Sequence, residues 1–114
     1  SMITDADLSA SKYRIVRTVA GKINLATLGN QIPTGILTED VADGSATDTA
    51  VGVALDGRTK VRCGAAVTDG NLLMATAGGE AIPATAGNYH VARALEDGVN
   101  DQIIECTIDI GQLN

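Results

Sequence analysis

Val51-Gly52-Val53-Ala54-Leu55-Asp56-Gly57-Arg58-Thr59-Lys60-Val61-Arg62-Cys63 is the stretch from which the fold is read. Val51, Val53 and Leu55 alternate with Gly52 and Ala54, and Thr59, Val61 and Cys63 alternate with Lys60 and Arg62. A period of two built on β-branched residues marks strand. Asp56-Gly57 between the two runs is a turn signal, so a β-hairpin is expected. A two-residue loop would set Val53 against Lys60 and Val51 against Arg62, mixing charge into the apolar face. A loop over Asp56–Arg58 instead pairs Leu55 with Thr59, Val53 with Val61 and Val51 with Cys63. Burial of one face decides register, so the longer loop with a local bulge is the expected form.

The same pattern continues on either side. Tyr13–Val19, Lys22–Leu25 and Thr34–Leu37 read as strands before this stretch, although Val16 and Arg17 blur the alternation of the first. Leu72–Met74, Glu80–Ile82, Tyr89–Leu95 and Gln102–Ile110 read as strands after it. Gly29, Asn30 and Pro33, Asp43-Gly44, Asp69-Gly70 and Gly78-Gly79 supply the breaks. Turn signals every ~8–12 residues indicate an all-β fold, a small barrel or sandwich of about eight short strands. At most one short helix fits, within Thr38–Ala50 or near the N-terminus. Residues 1–11 read as an irregular N-terminal arm and residues 12–114 as a single β domain. Ser1 ahead of Met2 reads as a remnant of tag removal. Ile36-Leu37-Thr38-Glu39-Asp40 echoes Ala94-Leu95-Glu96-Asp97, which fits either a duplication or two strands that each end in acids before a turn.

Composition narrows the function. The 114 residues carry 45% hydrophobic and 19% charged side chains and a net charge of −6, as expected for one folded domain. No apolar run approaches ~18 residues, so no membrane-spanning helix is expected. The N-terminus lacks the basic-then-apolar layout of a secretory signal. With two Tyr and neither Trp nor Phe, an acidic chain offers nucleic acid few cations and few stacking platforms. Val, Ile, Leu and Met together number 30 and Ala 17, so the core is thin and built from small groups. Oligomer contacts are therefore expected to supply part of the stability.

Reactive chemistry is sparse. His90 is the single histidine, on the less apolar parity of its strand, and reads as exposed or hydrogen-bonded for structural reasons; no nucleophile-elbow sequence accompanies it. Cys63 and Cys106 sit at apolar strand positions without a Cys-x-x-Cys, short of a zinc ligand set. They read as buried reduced thiols, with a cross-strand disulfide as the alternative. Asp40, Asp43 and Asp48 lack EF-hand spacing and read as solvated turn acids. Gly78-Gly79 lacks the Lys-Ser/Thr of a phosphate loop. No catalytic, metal or cofactor site is expected, and the reading is of a protein that is not an enzyme.

A resemblance adds a role. It is carried by Gly35-Ile36-Leu37-Thr38-Glu39-Asp40, Val51-Gly52-Val53-Ala54-Leu55-Asp56-Gly57 and Thr59-Lys60-Val61-Arg62-Cys63-Gly64. Ala66-Val67-Thr68-Asp69-Gly70-Asn71-Leu72-Leu73, Ala92-Arg93-Ala94-Leu95-Glu96-Asp97 and Ile103-Ile104-Glu105-Cys106 complete it. In these segments the chain resembles the phage capsid decoration, or head cement, family, a group sometimes misnamed phage recombinase. The resemblance implies a β-rich domain, often a homotrimer, on the outer capsid surface of the virion, made in the bacterial host cytoplasm. Its partner would be the major capsid protein, bound after shell expansion to brace subunit junctions. No nucleic-acid or membrane partner is implied. A small carbohydrate or host-surface binding module is the alternative, disfavoured by the few aromatics, and an enzyme on a small barrel is a third reading. Within the decoration reading, Ile3 and Leu8 of the arm are the expected capsid contacts, because apolar residues in an irregular lead-in lack a core partner. Deleting Met2–Ala10 is then expected to weaken capsid binding and leave the domain folded.

Overall fold

The computed structural model describes residues 2–3, 12–19, 22–38, 50–51 and 53–113. Along the chain run β1 (Met2–Ile3), β2 (Ile15–Val19), β3 (Lys22–Leu25), β4 (Gly35–Leu37), β5 (Ala50–Val51) and β6 (Val53–Ala54). They are followed by β7 (Arg58–Arg62), β8 (Leu72–Ala75), β9 (Ala81–Pro83), β10 (Tyr89–Ala94) and β11 (Ile103–Gln112). Two antiparallel sheets form a sandwich-like fold, with strand orders β3-β2-β4-β6 and β7-β11-β10-β8-β9. A two-stranded ribbon joins β1 to β5. The all-β expectation holds, as a sandwich rather than a closed barrel. A single 3-10 turn, Ala77–Gly79, separates β8 from β9. The short helix considered for Thr38–Ala50 falls largely on 39–49, outside the described residues.

The expected hairpin does not form. Val53 and Ala54 pair with Leu37 and Ile36 of β4, whereas Arg58–Arg62 pair with Ile103–Thr107 of β11. The two runs belong to different sheets, and Leu55-Asp56-Gly57 carries the chain from one to the other. Leu55, expected on the buried face, is 50% exposed at this crossing. The second run buries one parity, with Val61 and Cys63 inside and Lys60 exposed, whereas Val53 and Ala54 of the first are both half-buried. The partners of both runs are distant in sequence instead of adjacent.

Other strands follow the sequence closely. Lys22–Leu25 returns along β2 with Val16 opposite Leu25 and Thr18 opposite Ile23. β8 and β9 form the expected hairpin, with Met74 opposite Ile82. Met2–Ile3, expected in an irregular arm, form β1, with Met2 opposite Val51 and Ile3 opposite Ala50.

The blurred alternation of β2 has a physical cause. Directly paired residues share a face, so Ile15 and Ile36 lie on one side of the small sheet and Val16 and Leu25 on the other. Both sides are buried. Ile15, Ala26 and Ile36 join Val61, Leu73, Ala92 and Ile104 of the larger sheet in the main core. Val16, Ile23 and Leu37, with Leu25 and Val53 against them, make a second apolar cluster on the opposite side. A strand buried on both faces has no reason to alternate.

Gly35 marks the tightest approach. A Cβ there would collide with the carbonyl oxygen of Ala54 and lie 3.0 Å from Val53 Cγ1. Gly57, at the crossing, has φ +75° and open space around it. Gly35→Ala is expected to lose ~1–3 kcal/mol through overpacking. Gly57→Ala should lose only the ~1–2 kcal/mol of left-handed backbone strain. Urea unfolding should show both as a lowered midpoint at constant slope.

Candidate functional site

β7 lies at the edge of the five-stranded sheet, and a surface furrow runs beside it. Two hollows of about 370 and 410 Å³ share Tyr13, Lys60 and Glu105. Ile103, Ile104 and Glu96 complete one, and Thr38, Arg58 and Thr59 the other. Arg58, Lys60 and Arg62 alternate with Thr59 and Val61, so the three cations share one face of β7. Arg58 donates from Nε at 2.8 Å and from Nη2 at 2.5 Å to Glu105 Oε2. That pair is exposed and adds at most ~1 kcal/mol. Lys60 stands directly across from Glu105 in register.

Tyr13 shapes the furrow. Its φ of +66° is unusual for a bulky side chain. Its N–H donates to Leu37 O at 2.7 Å, and its carbonyl accepts from Arg62 N–H at 2.8 Å. One residue thus bonds to a strand of each sheet. Lys12 Nζ lies 5.0 Å from the Tyr13 ring centroid, a cation–π contact on the same segment. The alternation of Lys60 and Arg62 was legible in the residues, but the role of Tyr13 was not, because it rests on long-range hydrogen bonds.

The residues weighed for chemistry fall elsewhere. His90 is 8% exposed, with Nδ1 2.5 Å from the carbonyl oxygen of Asp109. A carbonyl only accepts, so Nδ1 carries the proton. Its register partner is Gly111, and a bulge follows, with Ala92 opposite Ile108. A Cβ at position 111 would lie 3.0 Å from His90 Nε2, so the ring occupies the space that glycine leaves. This is the hydrogen-bonded structural histidine that the sequence favoured. The turn at Gly78-Gly79 holds β2, since Arg14 Nη1 donates to Gly78 O at 2.8 Å. Asp40, Asp43, Asp48 and Leu8 lie outside the described residues, as does the side chain of Ile3. Among the described residues, no three His, Cys, Asp or Glu side chains gather as a metal cage, and no helix is long and apolar enough to cross a membrane.

Cys63 and Cys106 are both buried and free. Cys106 lies opposite Thr59, four residues before Cys63 on the neighbouring strand. At ~3.3 Å per residue their backbones stand ~13 Å apart along the sheet, beyond the ~7 Å a disulfide spans. The cross-strand disulfide is thereby removed. Burial pushes the Cys106 thiol up to about 12, with Cys63 and Glu105 adding to the rise. Burial also raises Cys63, helped by Glu80 and Glu96.

The architecture defines a two-sheet all-β protein with a surface furrow. No family model matches the chain, and no curated protein does. Among solved structures it is similar to the N base of the head fiber gp8.5 of bacteriophage phi29. The TM-score is 0.68 and the identity 21%, over 90% of this chain and 87% of that one. At that identity the likeness is one of fold.

The thiols yield a prediction with a definite sign. A raised folded-state pKa favours the neutral thiol, so the stability it contributes is complete below the unfolded thiol value. It is lost as pH rises from there toward the folded value, by up to ~1.4 kcal/mol per pH unit for one thiol. Urea unfolding of the native chain and of Cys106→Ala should therefore converge in stability as pH climbs above ~9. A constant gap across that range would contradict the burial of the thiol.

Proposed function

We propose that this protein is a structural component of a phage head that binds the outer surface of the assembled capsid and braces junctions between major capsid protein subunits. The observation that carries the reading is the fold shared with a head fiber base over 90% of the chain. The segmental resemblance to head decoration proteins read in the sequence points to the same role. A protein that binds across neighbouring subunits recognises only the assembled shell, so its binding free energy adds to shell stability by linkage. Identical contacts repeated on an oligomer add avidity. Assembly as a homotrimer, location on the virion exterior and the absence of catalysis are part of the proposal.

The arm that carries Ile3 and Leu8 is the proposed capsid contact. Because Met2–Ile3 also pair with Ala50–Val51, deleting Met2–Ala10 now has an expected folding cost as well as a binding cost. Point substitution is the cleaner test. The native chain should cosediment with expanded heads of the phage that encodes it, and not with unexpanded heads, and should have a trimer mass in solution. Leu8→Asp should weaken cosedimentation at least about tenfold, in line with the ~1.5–3 kcal/mol of burying a leucine. Its thermal midpoint should stay unchanged. Equal binding to both head forms, or none, overturns the head reading. Full binding by Leu8→Asp overturns the contact assignment.

A further inference from the structure

We propose that the edge of β7, open beside Lys60 among the described residues, is a strand-addition site for an extended peptide segment of a partner protein, one that places an acidic side chain beside Lys60. Cys63 N–H donates to Gln102 O, and Ile108 N–H donates to Gly57 O, each at 2.8 Å. Odd-numbered residues along this segment thus face β11, in the register that sets Val61 opposite Ile104 and Thr59 opposite Cys106. In an antiparallel ladder the alternate residues point their N–H and C=O the other way. Those residues are Arg58, Lys60 and Arg62. Tyr13 O meets the Arg62 N–H at 2.8 Å and closes that end. Among the described residues, no backbone group meets Lys60 on this side. The two hollows both include Lys60 and Tyr13, so the space beside this open pair is continuous with the furrow.

Charge selects the occupant. β7 carries Arg58, Lys60 and Arg62, three of the eight Lys and Arg of a chain whose net charge is −6. Glu105 stands opposite Lys60 in register but turns its carboxylate to Arg58, so Lys60 has no carboxylate within ion-pair distance among the described residues. A residue on an added strand opposite Lys60 would bring its Cβ within ~4.5–5.5 Å. A carboxylate there completes the pair. A second copy docking through the same edge would oppose cation to cation, the arrangement by which edge strands resist self-association. That disfavours pairing of β7 with itself, and the occupant proposed is a segment of a different protein. Backbone hydrogen bonds would supply affinity and the acidic position would supply selectivity.

The edge geometry and the charge of β7 are independent of the head reading, so failure of one test leaves the other result intact. The test titrates 15N-labelled native chain with a capped peptide of alternating Thr and Glu. Its controls are the Thr and Lys counterpart and the acidic peptide with alternate backbone nitrogens methylated. Amide shifts are expected at Tyr13, Thr38, Thr59 and Lys60. The acidic peptide should bind at least about tenfold tighter than the basic one, and methylation should abolish binding. Lys60→Glu should reverse the charge preference. Lys60→Pro removes the outward N–H without touching the ladder to β11, and should weaken binding of the acidic peptide. Absence of shifts, shifts centred elsewhere, equal binding of both charges or indifference to methylation would each overturn the proposal.

Discussion

Tyr13 is hydrogen-bonded to both sheets at once. Its N–H reaches Leu37 at the end of β4, and its carbonyl reaches Arg62 at the end of β7. Side-chain burial alone leaves two sheets free to slide, because apolar contact is non-directional. Backbone bonds at one residue remove that freedom and set the corner of the sandwich. The left-handed conformation of Tyr13 costs ~1–2 kcal/mol and persists because the bonds on either side demand it. Two other contacts reinforce the corner. Leu37 N–H returns to Arg14 O at 3.0 Å, and the Arg14 side chain holds the turn between β8 and β9. The same corner blocks one end of the β7 edge and leaves Lys60 beyond it.

Between the sheets the packing is economical. Ala75, Ala81, Ala92 and Ala94 are all buried in the main core, so the sheets meet through small side chains. Small groups bury little area each, and the ~25 cal/mol per Å² of apolar burial accumulates slowly. The protein offsets this by burying both faces of the small sheet, which places Ile15 and Val16, or Ile36 and Leu37, in separate clusters. Close backbone approach at Gly35 belongs to the same strategy. A fold built this way has little core to spare.

Among the described residues, the groups weighed for chemistry are turned inward. His90 is committed to Asp109, and the thiols of Cys63 and Cys106 lie inside the core. What faces solvent is an edge strand with a row of cations, a furrow and exposed aliphatics such as Ile32 and Val99.

Several features were legible in the residues themselves. The class of fold and the β8–β9 hairpin follow from alternation and turn residues, as does the burial of Ile104 and Cys106, although Ile110 on the same parity is 42% exposed. Buried thiols and a structural histidine followed from residue type and spacing. Alternation, however, states which face a residue occupies and says nothing about which strand lies beside it. Val51–Cys63 therefore reads as a hairpin, although its two runs pair with β4 and β11. The separation of the cysteines along the sheet, the double engagement of Tyr13 and the open side of Lys60 depend in the same way on pairings between segments far apart in sequence. Local sequence determined the period and the turns. Only the tertiary structure decided the neighbours, because pairing is settled by the joint burial and hydrogen bonding of the whole chain.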